Sequence, residues 1–145
     1  MVVLIINNSS KEKIKKRTKK LIKIVEKYGF STIVLSSNIE LNKLLLNDKS
    51  KIKGIILSGG PLQLSDKICA NDISQNINVL LNFPNIPILG ICFGMQVMAL
   101  AYGGKIDNLK KNYKKLLVLH IMNKNLFYLM VLIQNLIHMN TILII

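Results

Sequence analysis

Short β-rich apolar runs alternate with longer segments of helical spacing along residues 1 to 107. Val2 to Ile6 reads as a buried strand, and Ser9 or Ser10 is placed to cap a helix that runs to about Tyr28 and stops at Gly29. In that helix Ile14, Leu21, Ile22, Val25 and Tyr28 fall near one face, which leaves the lysines of Lys11 to Lys27 on a solvated face. Ser31 to Leu35 is a second strand, Ile39 to Leu46 a short helix, and Gly54 to Leu57 a third strand. Ser58-Gly59-Gly60-Pro61 is a sharp loop that no regular element continues through. After a polar stretch, Ile73 to Phe83 has helical spacing and ends at Pro84 and Pro87. Ile86 to Ile91 is a fourth strand that runs through Gly90-Ile91-Cys92-Phe93-Gly94 into a helix, Met95 to Tyr102, closed by Gly103-Gly104. Continuous apolar strands separated by helices imply an α/β fold of three layers, a mostly parallel sheet with helices on both faces.

The pattern changes after about residue 107. Residues 105 to 145 hold no Gly and no Pro, and no acidic residue follows Asp107, although a folded segment of that length needs turns. The chain therefore divides into an α/β domain over 1–107 and an atypical apolar and basic tail over 108–145. The loss of Gly, Pro, Asp and Glu points to a domain truncated or frame-shifted after about residue 107, a change of reading frame falling between about residues 107 and 120. Leu126 to Ile145 is apolar, but Gln134, Asn135, His138, Asn140 and Thr141 interrupt it, so no membrane span is expected.

Composition adds little to this picture. Ile (23), Lys (19) and Asn (16) dominate the 145 residues and all have A/T-rich codons, so the net charge of +13 records base composition as much as selection. Residues 1 to 53 carry 13 basic and 4 acidic groups, whereas residues 54 to 107 carry 2 and 3. No aromatic residues interleave with the lysines and no reading module is present, so nucleic acid is not an expected partner. Two cysteines, Cys69 and Cys92, make no disulfide framework, and the start MVVLIINNSS has no basic segment ahead of its apolar run. A reduced, cytoplasmic setting follows.

The segment richest in chemistry is Leu89-Gly90-Ile91-Cys92-Phe93-Gly94-Met95-Gln96. A nucleophile on a tight turn from strand to helix is held outward at the C-terminal edge of a sheet on a strained backbone, and the flanking Gly90 and Gly94 permit the close approach this requires. Cys92 is therefore the candidate nucleophile, at a helix N-terminus whose dipole favours the thiolate. The backbone N–H of Phe93 is one donor for an oxyanion, and the loop Ser58 to Pro61 offers a second, because a neighbouring parallel strand delivers its loop to the same edge. Neither glycine cluster has the spacing of a nucleotide cradle, and no cofactor or metal site is expected. Cys69 is read as a small hydrophobe.

Ile55-Ile56-Leu57-Ser58-Gly59-Gly60-Pro61 and Pro87-Ile88-Leu89-Gly90-Ile91-Cys92-Phe93-Gly94-Met95-Gln96, followed by Gly103-Gly104-Lys105, resemble the class I (triad) glutamine amidotransferases. Within that family Cys92-Phe93-Gly94-Met95-Gln96 is most similar to the glutaminase domains of GMP synthases. The resemblance covers roughly residues 1 to 107 and implies a flavodoxin-like fold whose C-terminal part is incomplete here. It further implies that Cys92 attacks the side-chain amide of glutamine, that the N–H groups of Phe93 and Gly60 hold the oxyanion, and that Gln96 and Gly59 help bind the substrate. The implied partners are glutamine and an ammonia-accepting synthetase subunit or domain.

One part of the family pattern is missing. The triad is completed by a His-x-Glu pair that lies further beyond the cysteine than the 53 residues following Cys92. His120 precedes Ile121-Met122, His138 precedes Met139-Asn140, and Glu40 is the last glutamate, so neither histidine is assigned a catalytic role. Without a base, a thiolate is open to alkylation but turns over glutamine poorly. The expectation is a glutaminase domain of the GMP synthase type that is catalytically incomplete. A glutaminase of anthranilate or aminodeoxychorismate synthase, and a non-catalytic binding module of the same fold, are the alternatives.

Overall fold

The computed structural model describes residues 1–8, 11–36, 38–46, 50–60 and 70–103, and beyond these only the backbone of four short strands. The first part runs β1 (Val2–Ile6), α1 (Lys11–Lys27), β2 (Ser31–Leu35), α2 (Asn38–Leu46), β3 (Ile52–Leu57), α3 (Ala70–Asn82), β4 (Ile88–Gly90), α4 (Phe93–Ala101). Four parallel strands form one sheet in the order β2-β1-β3-β4. β1 therefore lies inside the sheet with successive connections leaving on either side of it, and the crevice at the C-terminal ends of β1 and β3 is where such sheets bind ligands.

Alternation along the strands sorts the faces. Leu4, Ile6, Leu35, Ile55, Leu57 and Ile88 point into one core with Leu41 of α2, Val79, Leu80 and Phe83 of α3, and Met98 of α4. The opposite face meets α1. There Val3, Gly54, Ile56 and Leu89 line an apolar groove of about 510 Å³ with Ile24, Val25 and Tyr28. Helices thus lie on both faces, as expected, but coverage is unequal: Leu89 is 37% exposed, and no described helix lies over β3 and β4 on the α1 side. Tyr28 departs from its expected place, being 73% exposed on the rim of that groove.

Most boundaries match their sequence pattern, and the differences have local causes. α1 ends where Gly29, at φ 80°, adopts the left-handed conformation that terminates a helix. β3 starts at Ile52, two residues early, because Val2 N–H donates to the Lys51 carbonyl at 3.0 Å and draws the chain into register beside β1. β4 is shorter than its apolar run: Pro87 has no N–H to give, though its carbonyl accepts from Ile55 at 2.9 Å. α3 reaches back to Ala70, three residues before its apolar pattern begins.

Beyond residue 103 the backbone forms β5 (Lys105–Asn108), β6 (Leu117–Asn123), β7 (Leu126–Leu132) and β8 (Thr141–Ile144). β5 pairs with β8 and β6 with β7, both antiparallel. The helix caps at Ser9 and Ser10, together with Pro61, Cys69, Gly104 and His138, lie outside the described residues.

Candidate active site

Three strand ends converge at one edge of the sheet: Asn7-Asn8 after β1, Ser58-Gly59-Gly60 after β3, and Ile91-Cys92 after β4. Backbone bonds tie them together. Asn7 N–H donates to Leu35 at 2.8 Å, Ser58 N–H to Ile6 at 2.9 Å and Ile91 N–H to Leu57 at 2.9 Å.

Cys92 is the residue before the first turn of α4 and sits at φ 50°, ψ −107°. Among the described residues it alone, apart from glycine, has a positive φ. Such a conformation costs on the order of 1–3 kcal/mol and persists only where the surroundings over-determine it. Here the flanking glycines do so. A Cβ on Gly90 would lie 2.6 Å from Met95 Cα, and one on Gly94 would lie 2.6 Å from Leu57 Cβ. Strand and helix are therefore in backbone contact on both sides of the cysteine, and Gly94 N–H donating to Ile91 at 3.0 Å closes the turn.

The Gly-Gly loop lies directly opposite. A Cβ on Gly59 would be 3.4 Å from Cys92 Cβ and 3.9 Å from its sulfur. Gly60 packs on the other side, where a Cβ would come within 2.6 Å of the Asn8 carbonyl oxygen. The fold thus brings Gly59, Gly60, Gly90, Cys92 and Gly94 together. Phe93 is the first residue of α4, so its N–H has no carbonyl to bond within the helix, while its side chain is buried. Gln96 follows one turn later and is buried at 2% exposure, with its N–H on the Cys92 carbonyl at 3.0 Å. His120 lies on β6, whose side chains are not described.

A polar network behind the loop escaped the sequence reading. Asn8 N–H donates to Ser58 Oγ at 2.9 Å, and Asn8 Nδ2 donates to the Ser58 carbonyl at 2.7 Å. Asn8 and Asn76 of α3 exchange side-chain amide bonds at 3.1 and 2.8 Å, with Asn76 wholly buried. Beside it Thr18 Oγ1 donates to Asn7 Oδ1 at 3.2 Å. The available signal was position: Asn7-Asn8 ends the inner strand at the point where connections diverge. Among the described residues no group of His, Cys, Asp and Glu could hold a metal, and no helix is long and apolar enough to cross a membrane.

A cysteine on a strained turn at the edge of the open parallel sheet thus faces a Gly-Gly loop. The chain belongs to the glutamine amidotransferase class-I family, whose model matches residues 12–136. Within that family its domain is related to the glutaminase domain of GMP synthase. It is 41% identical over 78 residues to one of the subunits of the glutamine-hydrolyzing GMP synthase of Methanocaldococcus jannaschii, a match covering 54% of this chain and 36% of that protein. With the GMP synthase of Petrotoga mobilis it shares 53% identity over 58 residues, 40% of this chain and 10% of that one. A crystal structure of a glutamine amidotransferase from Thermotoga maritima has the same fold, with a TM-score of 0.57 at 17% identity, covering 86% of this chain and 53% of that chain. The matches therefore span at most about half the length of these relatives.

Proposed function

We propose that the chain carries the nucleophile and oxyanion side of a glutaminase site that serves a GMP synthase-type synthetase. In this reading the Cys92 thiolate adds to the side-chain amide carbon of glutamine. The tetrahedral oxyanion accepts hydrogen bonds from the N–H groups of Phe93 and Gly60, while Gln96 and Gly59 help seat the substrate. The C–N bond then breaks, the amide nitrogen takes up a proton and leaves as ammonia, and water hydrolyses the glutamyl thioester to glutamate. The observation that carries the reading is the conformation of Cys92, strained at φ 50° with Gly59 packed against it.

These 145 residues hold no His-x-Glu pair. No residue of that kind takes the thiol proton or delivers one to ammonia, so turnover by the chain alone is expected to be low or absent. The Methanocaldococcus jannaschii relative, itself one of the subunits of a GMP synthase, supports a partner that is a separate synthetase chain accepting ammonia.

The test is site-resolved alkylation by a chloromethyl ketone analogue of glutamine, read by peptide mass spectrometry. Cys92 should react well ahead of Cys69, and glutamine should protect it. Equal labelling of both thiols in folded protein would overturn this account, and robust ammonia release that survives replacement of both His120 and His138 by alanine would overturn the expectation of low turnover by showing another base.

A further inference from the structure

We propose that Asn8 and Asn76 are positioning residues that fix the Gly59–Gly60 peptide so that its N–H faces the Cys92 sulfur. The proposal rests on the glutaminase reading above and adds to it a relay of hydrogen bonds that reaches the oxyanion donor from behind.

The relay follows from peptide geometry. A trans peptide is planar, so its N–H points opposite to its C=O, and whatever holds one sets the other. Ser58 Oγ donates to the Gly59 carbonyl at 3.1 Å, which fixes the plane of the Gly59–Gly60 peptide and with it the Gly60 N–H. That same Oγ accepts from Asn8 N–H at 2.9 Å, which leaves its single proton for Gly59. Asn8 Nδ2 also donates to the Ser58 carbonyl at 2.7 Å and so orients the preceding peptide. Both peptides of the Gly-Gly loop are thereby set by Asn8, directly or through Ser58.

Asn76 in turn sets Asn8. Its side chain is fully buried on α3, one turn ahead of the core residues Val79 and Leu80, and its amide bonds reciprocally with that of Asn8. A buried amide is costly unless bonded, and an apolar side chain would suit the neighbouring core as well. What the amide adds is orientation: Asn8 Nδ2 is shared between Asn76 Oδ1 and the Ser58 carbonyl, which locks its rotamer. The Asn8 carbonyl blocks the far side of the loop, since it lies where a Cβ of Gly60 would be. The loop is therefore braced by β1 and α3 on one side and meets Cys92 on the other.

The experiment compares two reagents on the full chain. With a glutamine-like chloromethyl ketone, the thiolate adds to the carbonyl carbon and creates a tetrahedral oxyanion; sulfur then displaces chloride from the adjacent methylene, and the first C–S bond breaks as the carbonyl re-forms. Iodoacetamide forms the same kind of C–S bond by direct displacement of iodide and needs no oxyanion donor. The ratio of the two rates at Cys92, referenced to free glutathione, reads the oxyanion loop. Asn76→Asp keeps the shape and removes the donor to Asn8, and Ser58→Ala removes the hydroxyl relay. Each should lower the ratio about tenfold or more, given that loss of a whole donor costs on the order of a hundredfold. The iodoacetamide rate should stay within about twofold. Val79→Ala, a core truncation on the same helix, should lower the melting temperature and leave the ratio unchanged. Should Asn76→Asp not fold, the smaller Ser58→Ala change carries the test. A wild-type ratio in the folded variants overturns the positioning role while leaving the nucleophile intact. A wild-type chain with no excess over glutathione overturns the glutaminase reading and the positioning role together.

Discussion

Replacing Gly94 by alanine probes how tightly the Cys92 turn is bound to the sheet. The added Cβ would fall 2.6 Å from Leu57 Cβ and 2.7 Å from its carbonyl carbon. Carbon pairs pack at about 3.5–4.0 Å, so α4 must retreat from β3 by about 1 Å. The neighbour is the backbone of a strand paired on both sides, so the strand has no rotamer with which to yield. Overpacking of this kind costs about 1–3 kcal/mol. The same retreat stretches the Ile91 N–H bond to Leu57, now 2.9 Å, beyond hydrogen-bonding range, for about 1 kcal/mol more. The expected loss is about 2–4 kcal/mol in urea unfolding followed by far-ultraviolet circular dichroism. Gly103→Ala is the matched control. Gly103 sits at φ 83° with nothing within 4 Å of a new Cβ, so its loss is confined to the left-handed conformation, about 1 kcal/mol. Equal losses for the two variants would refute the claim that the turn is held by direct contact between α4 and β3.

Cys92→Gly should abolish alkylation at this position and raise stability by about 1–2 kcal/mol in the same unfolding assay, because glycine adopts φ 50°, ψ −107° without the cost cysteine bears. Gly54→Ala should be neutral or stabilising by about 0.5–1 kcal/mol in the same unfolding assay, since its Cβ would meet only Val3 Cγ2 at 3.9 Å and enter the apolar groove beside α1. If the break after about residue 107 is a change of reading frame, translating the gene in its other frames past that codon should yield glycine-containing turns and a His-x-Glu pair. No such pair in any frame, with a tail resistant to protease in monomeric protein, would favour a shortened binding module.

Much of the fold was legible because the strands are short and uniformly apolar. Val2–Ile6 and Ser31–Leu35 emerge with the bounds their patterns imply, and Gly29 ends α1. The candidate nucleophile was legible for a local reason: Gly90, Cys92 and Gly94 fall within five residues and the strain at Cys92 belongs to one turn, whereas the contact of Gly94 with Leu57 of β3 needs the folded sheet. What stayed hidden was long-range or compositional. Asn8 and Asn76 lie 68 positions apart, in a chain with 16 asparagines, so nothing local separates the two that pair from exposed ones such as Asn42, Asn82 and Asn85. Likewise Leu89 and Tyr28 look like core residues by spacing, and only the strand order leaves the α1 face of β3 and β4 open to them.

Strand order also explains why the site is held at two depths. β1, β3 and β4 are consecutive neighbours, so their C-terminal loops must meet, and the loops meet as backbone: Asn8 carbonyl on Gly60, Gly59 on Cys92, Gly94 on Leu57. Backbone contact fixes positions to within a few tenths of an ångström but does not by itself choose the rotation of a peptide. That choice falls to side chains with directional bonds, and among the described residues Asn8, Ser58 and Asn76 supply them. The two layers fail differently under mutation. On the proposed positioning role, a glycine replaced at the backbone layer should cost stability and displace the thiol, whereas a hydrogen bond removed from the side-chain layer should leave the thiol in place and turn the Gly60 N–H away from it. Iodoacetamide senses only the first kind of damage, and a carbonyl electrophile senses both.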